Sequence, residues 1–368
     1  MTTRKVPFAS LVPHEDAAAV RSAIERVVAR GWYILGPEVE AFEREFAAAS
    51  GAAHAVAVGN GTDGIALTLR ALGIGRGDEV ITTPLSAAFS ALAIMMAGAR
   101  PVFADIDPVR LTIDPRRVED AIGARTRAIL PVHLYGQSAD MTAIAQIAAR
   151  RGLAVVEDCC QAHLSTAGGR SVGTIGVAGA FSFYPTKNLG ALGDGGAVVT
   201  NDPALAERLK RLRNGGQSGR YRHEEAGVNS RLDEMQAAVL RARLAYLPAW
   251  TARRRALAAR YRAQLGTDAV NAVPECDAGH VYHLFVVRTP ARAELQAHLA
   301  ARGIETLIHY PVPIHRQPAM ASADPADCPV ASRVCDEILS LPLHPAMADD
   351  EVDYVADAVL KGLPECER

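Results

Sequence analysis

Between about residues 55 and 200 the chain alternates short apolar runs with amphipathic helical periods, and this alternation constrains its fold more than any other feature. A run over 55–58 precedes a helical period over 63–72, a run over 79–82 precedes 87–97, and a run over 101–103 precedes 116–122. The pattern continues with 128–132 before 141–150 and closes on 153–156, which ends in Glu157-Asp158. Runs this short suit strands buried on both faces. Strand and helix in strict turn predict a mainly parallel sheet covered by helices, an α/β fold. Ligands in such sheets bind beyond the carboxyl ends of the strands. Asn60-Gly61-Thr62-Asp63, Asp158 and the loop that follows the apolar run 177–183 all fall there.

The flanking segments read differently. Helical periods over 14–29 and 38–50 are expected to pack on the large sheet unit, and 234–264 reads as a long helix, broken near Pro248, that leads the chain out of it. A strand over 283–287, a helix over 292–302, a strand over 305–308 and a terminal helix over 350–360 then predict a compact α+β unit. The expected division is a large unit over 1–245 and a small one over 246–368. A chain of 368 residues with 49% hydrophobic content can bury cores of that size. A net charge of -2 and the lack of a dense basic block argue against nucleic acid or anionic membrane as the main partner. The triplet Arg253-Arg254-Arg255 reads as a solvated helix face. No apolar run reaches membrane-spanning length and the first residues lack the apolar core of a signal peptide, so the expected location is the cytoplasm. Cys159, Cys160, Cys276, Cys328, Cys335 and Cys366 are spaced too irregularly for a disulfide framework and read as reduced thiols. Cys276, His280 and His283 lack a second cluster to complete a metal site, so no metal is expected.

Lysine is scarce. Only Lys5, Lys187, Lys210 and Lys361 occur, against a large excess of arginine. An amine that forms a Schiff base must be able to lose its proton, which a desolvated lysine can do and an arginine cannot. Lys5 is near a terminus, and Lys210 and Lys361 lie among charges on predicted helices. Lys187, in Ser182-Phe183-Tyr184-Pro185-Thr186-Lys187-Asn188, follows a buried strand into a turn-rich loop. Asp158, at another strand end, could bind a cation or keep a ring nitrogen protonated. Gly59-Asn60-Gly61-Thr62-Asp63-Gly64 turns from strand into helix, so its N–H groups and the helix dipole suit a phosphate, with Ser182 adding a hydroxyl. A phosphate cup, a carboxylate for a ring nitrogen and a lysine for an aldehyde are all required by one ligand, pyridoxal phosphate.

The chain also resembles the DegT/StrS sugar aminotransferases, of the fold-type I aspartate aminotransferase superfamily. The resemblance runs over nearly the whole length. It is carried by 31–39, Gly61-Thr62-Asp63, Gly77-Asp78-Glu79-Val80-Ile81, Glu157-Asp158 with Gln161-Ala162-His163, 182–190, Asn229-Ser230-Arg231-Leu232-Asp233-Glu234, and His309-Tyr310-Pro311-Val312-Pro313 with His315. It implies a large unit with a mainly parallel seven-stranded sheet, a smaller C-terminal α+β unit, and a pyridoxal 5'-phosphate aminotransferase that passes through the pyridoxamine form. Under it Lys187 holds the cofactor's aldehyde, Asp158 pairs with the pyridine nitrogen, and Gln161 bonds the phenolic oxygen. Thr62, Asp63 through its backbone, and Ser182 bind the phosphate. Asn229 reaches it from a neighbouring subunit, which implies a homodimer. Arg231, His309, Tyr310 and His315 are candidates for the donor carboxylate or the sugar nucleotide. Ala87 departs from the pattern, since an aromatic that stacks on the cofactor is usual there; Phe89 or a smaller group takes its place.

The implied reaction moves the amino group of glutamate to a nucleotide-linked keto-sugar. His133-Leu134-Tyr135-Gly136-Gln137-Ser138-Ala139-Asp140-Met141 and 309–313 look more like the C-3 enzymes than the C-4 ones. A C-4 or keto-inositol acceptor is the alternative. A related sugar dehydratase has histidine in place of the lysine, so Lys187 argues against it; a non-catalytic regulator would have no need of both Lys187 and Asp158.

Overall fold

The structure is a computed structural model that describes residues 4–265, 271–320 and 327–362; Cys366 lies outside them. Seven strands form the large sheet: β1 (His54–Val58), β2 (Glu79–Thr82), β3 (Arg100–Phe103), β4 (Thr126–Leu130), β5 (Ala154–Asp158), β6 (Ala178–Ser182) and β7 (Gly196–Thr200). Their order is β1-β7-β6-β5-β4-β2-β3. All neighbours are parallel except β7, which runs antiparallel to both β1 and β6. Two antiparallel steps restore direction, so β1, β6 and β5 end at the same edge of the sheet. The segments that follow these three strands carry Thr62, Lys187 and Gln161.

Helices α1 (Ala17–Arg30) and α2 (Pro37–Ser50) precede the sheet, and α3 (Gly61–Ala71), α4 (Phe89–Met96), α5 (Pro115–Ala121), α6 (Met141–Arg151) and α7 (Pro203–Leu212) cross between strands. α8 (Glu234–Leu244) packs on α1 and α2. The carboxylate of Glu234 accepts from the Gly36, Glu38 and Val39 N–H groups, filling orphan donors at the start of α2. α9 (Leu247–Leu265) begins after a two-residue turn, with Pro248 in its first turn, where proline's missing N–H costs nothing.

A three-stranded antiparallel sheet follows, made of β8 (Asn271–Ala272), β9 (Phe285–Arg288) and β10 (Ile338–Leu341). α10 (Arg292–Ala300), α11 (Pro329–Glu337) and α12 (Asp349–Gly362) complete this unit. Its core joins Leu257, Tyr261, Phe285, Leu339 and Val355, and it also takes in Val6 from the N-terminal segment, which bridges to Ile304. The strand expected over 305–308 does not form. Leu307 makes one isolated antiparallel bridge to Ser340 and is 48% exposed, so no ladder is sustained there.

The reading of Arg253-Arg254-Arg255 as a solvated face is overturned. Arg254 is 6% exposed and donates from Nη1 to the carbonyls of Tyr282, His283 and Leu343. Arg255 bonds the His280 and Ala278 carbonyls, and Arg253 the Met347 carbonyl and Asp349. A planar guanidinium can satisfy several loop carbonyls at once, which a helix-surface charge count does not reveal.

Candidate active site

Asp158 closes β5 and is 5% exposed. Its Oδ2 accepts from Ser90 Oγ at 2.7 Å, and its Oδ1 from the Cys160 N–H at 3.1 Å. Two hydrogen bonds fix the carboxylate and leave further lone pairs open. Gln161, one turn on, accepts from the Tyr135 N–H at 2.8 Å and donates from Nε2 to the Tyr310 hydroxyl at 3.1 Å. That leaves one amide N–H to give. Lys187 lies in the loop after β6, half-exposed to an internal cavity. Burial lowers the pKa of its amine, opposed by the charges of Cys160 and Asp158, so this lysine loses its proton more readily than a solvated one. His163, fully buried against Phe181 and Phe183, is held neutral with a pKa of about 3 by burial and by Lys187.

The phosphate cup is built by close approach of backbone. Asn60 caps α3 by accepting from the Asp63 N–H at 2.8 Å. The Asp63 N–H, expected to reach a phosphate, serves this helix cap. The Asp63 carboxylate accepts from Ser230 Oγ at 2.6 Å. The N–H groups of Gly61 and Thr62 have no intrahelical acceptor. A Cβ on Gly61 would lie 2.5 Å from Cys160 Sγ and 3.1 Å from Ser182 Cβ, so Ser182 sits against the start of α3 and only glycine fits between. Gly196 of β7 backs the same turn, where a Cβ would fall 2.3 Å from the Asn60 carbonyl carbon.

Other expected residues divide. His309 lines the Lys187 cavity, its Nδ1 2.9 Å from Ser340 Oγ, with a pKa lowered to about 4 by burial and by Lys187. Tyr310 faces Gln161, and burial raises its hydroxyl to about 12. His315 sits instead beside Phe103, ring centroids 6.1 Å apart. Arg231 is engaged by Asn214 Oδ1 at 3.1 Å, and Asn229 is exposed. Phe89, the expected substitute for the missing aromatic at Ala87, is 62% exposed. His280 Nδ1 accepts from the Tyr282 N–H, and His283 Nδ1 lies 3.2 Å from Asn188 Oδ1. Sequence reasoning missed Ser90 and the Tyr135 N–H, whose partners lie 68 and 26 residues away.

A lysine with a lowered pKa, a fixed carboxylate at a strand end, an amide donor and a glycine-lined helix N-terminus fit pyridoxal phosphate at its aldehyde, ring nitrogen, phenolic oxygen and phosphate. Fold and cluster together define a fold-type I pyridoxal-phosphate aminotransferase. The chain belongs to the DegT/DnrJ/EryC1/StrS aminotransferase family, whose model matches residues 14–360. It is 51% identical to the dTDP-3-amino-3,4,6-trideoxy-alpha-D-glucose transaminase of Streptomyces venezuelae, over 97% of this chain and 96% of that one. The crystal structure of S. venezuelae DesV superposes with a TM-score of 0.94 at 50% identity, covering 98% of both chains. That of NtdA from Bacillus subtilis, with bound cofactor PMP, gives 0.91 at 30% identity over 97% of this chain and 85% of that one.

Proposed function

We propose that this aminotransferase moves the amino group of glutamate to a nucleotide-linked keto-sugar, at C-3 of a 3-keto-6-deoxyhexose, and works in the cytoplasm as a homodimer. One observation carries the chemistry: Lys187, Asp158, Gln161, Ser182 and the start of α3 converge at one edge of the sheet, beyond the ends of three strands. The S. venezuelae relative, a dTDP-3-amino-3,4,6-trideoxy-alpha-D-glucose transaminase, supports C-3 and a nucleotide-linked sugar. Five described cysteines are free and no described helix is long and apolar enough to cross a membrane. Trp32, Tyr33, Phe89, Met96 and Tyr184 are exposed apolar side chains that support a second copy as the partner. In that dimer Asn229 reaches the phosphate of the neighbouring subunit's cofactor. The boundary between units is placed at 245/246, supported by the turn between α8 and α9, with the segment around Val6 crossing to the smaller core.

When bound, pyridoxal phosphate supplies an electron sink and an aldehyde that stores the amino group between half-reactions. The chain's residues do the rest. Gly61 and Thr62 N–H groups with the Thr62 and Ser182 hydroxyls hold the phosphate at the positive end of α3. Asp158, oriented by Ser90, accepts from a ring N–H. Gln161 gives its remaining N–H to the phenolic oxygen. Lys187 Nζ would carry a proton from the donor's α-carbon to the bound cofactor in the first half-reaction and from the cofactor to the acceptor's carbon in the second, a role its lowered pKa favours.

Visible absorption of the cofactor-loaded protein tests this. Glutamate should bleach the band, and so, in reverse, should a stable 3-amino nucleotide sugar but not its 4-amino isomer. Bleaching by the 4-amino isomer alone would move the aminated carbon, and a band that none of them changes would place the activity outside this transamination.

A further inference from the structure

One cluster looks like a metal site and is not. His133, Glu157 and Cys159 bring ligand atoms within 4.8 Å of one another. His133 Nδ1 accepts from the Ala139 N–H, so its Nε2–H points at Glu157, 3.0 Å away. Glu157 also accepts from Gly173, Ile175 and Gly176. Those donors already fill the carboxylate.

The cavity beside Lys187 is different. It holds about 180 Å³ and lies between the Lys187 loop, the N-terminal segment and the 343–346 turn. Sites for drug-sized ligands run to roughly 300–1,000 Å³, so this one suits an amino acid and is too small for a nucleotide sugar. Its two acids are taken: Asp16 pairs with Arg243 at 2.8 Å, and Glu15 accepts from Trp250 Nε1 at 2.6 Å. Arg254, on the same wall, has no carboxylate partner among the described residues. Its Nη1 is held by three carbonyls, and its buried Nε has no acceptor. Burial alone acts on this guanidinium, lowering its pKa to about 10, and it stays charged at neutral pH. A buried charge without a counter-ion is costly unless an anion completes it. Of the sequence's candidates for the donor carboxylate or the sugar nucleotide, His309 lines this cavity and Arg231, Tyr310 and His315 do not.

We propose that this cavity is the amino-donor pocket, taking a small carboxylate-bearing amino acid beside Lys187, with Arg254 holding its carboxylate. The proposal rests on the transaminase reading and adds to it where the donor sits.

Glutarate has the carboxylates of glutamate and neither amine nor ketone to react, so it serves as the probe. Calorimetric titration into cofactor-loaded full-length protein should show binding at one site per chain, competitive with glutamate. Arg254→Gln should weaken it by about tenfold or more, the loss expected of an unmade charge-assisted hydrogen bond, and Arg254→Lys should restore part. Leu307→Trp narrows the cavity from its exposed rim and leaves the carbonyl clamp intact; it should block glutarate too, and it decides the matter if Arg254→Gln does not fold. Glutarate binding that survives Leu307→Trp and Arg254→Gln, or that is lost in Arg231→Gln alone, overturns the pocket. If glutamate still bleaches the band in that case, the transaminase reading stands without it. If glutamate never bleaches the band yet glutarate binding depends on Arg254, the pocket stands and the donor is another carboxylate.

Discussion

Glu157 and Asp158 are consecutive carboxylates on one strand, and they serve opposite ends. Glu157 points into the protein, fully buried, and is saturated by His133 and three backbone N–H groups. Asp158 points to the strand-end site, is held by Ser90 and the Cys160 N–H, and keeps acceptor capacity. Alternation along a strand sends neighbours to opposite faces, and what separates a structural acid from a functional one here is how many of its lone pairs the protein has already used.

Substitutions can break this contrast. The largest effect on rate is expected from Lys187→Ala, which should cut transamination by about 10²–10⁴-fold or more, the range of general acid–base catalysis, with little change in unfolding midpoint. Asp158→Ala should follow, with a loss of about 10²-fold or more in kcat, the scale of removing one positioned electrostatic group, in a protein that still folds. Stopped-flow half-reactions and thermal melts read both; an Asp158 variant that loses stability and keeps rate would erase the distinction. Glu157→Ala should do the reverse, costing about 3–5 kcal/mol of stability as a buried pair is broken, measured by urea unfolding. Ser90→Ala should lower kcat modestly, by about tenfold, through a less firmly held Asp158, without changing the glutamate KM.

The smallest effect sharpens the contrast through pH. Burial works to raise the Glu157 carboxyl from its ordinary 4.5, but hydrogen bonds from His133, Gly176 and Gly173 outweigh it and hold it below that value. A depressed folded pKa stabilises fully above the unfolded value and is lost as pH falls through the folded one. Unfolding free energy should therefore drop below about pH 4.5, and Glu157→Gln should flatten that slope.

Much of this was legible beforehand. Alternating runs over 55–158 placed the sheet and its ligand edge, and scarcity singled out Lys187 among four lysines. Asp158 was found because it ends an apolar run. What stayed hidden depends on partners far along the chain. Ser90 reaches Asp158 across 68 residues, and Tyr310 reaches Gln161 across 149. Arg254 reads as surface because helix periodicity cannot show three loop carbonyls converging on one side chain. The Asn60 cap was a local signal, since asparagine accepting from the third helical N–H is a common helix start, and it engages the Asp63 N–H.

The position of β7 has a consequence for biosynthesis. β1 sits at the sheet edge and touches the rest of the sheet only through β7, and Gly196 at the start of β7 is what presses against Asn60. Residues 54–62 leave the ribosome early, yet they have nothing to pair with until residues 196–200 have followed. A nascent chain that stops short of β7 has its phosphate-binding turn in sequence and not in space. Capture of the cofactor thus becomes a late event in synthesis, and truncated chains should emerge colourless.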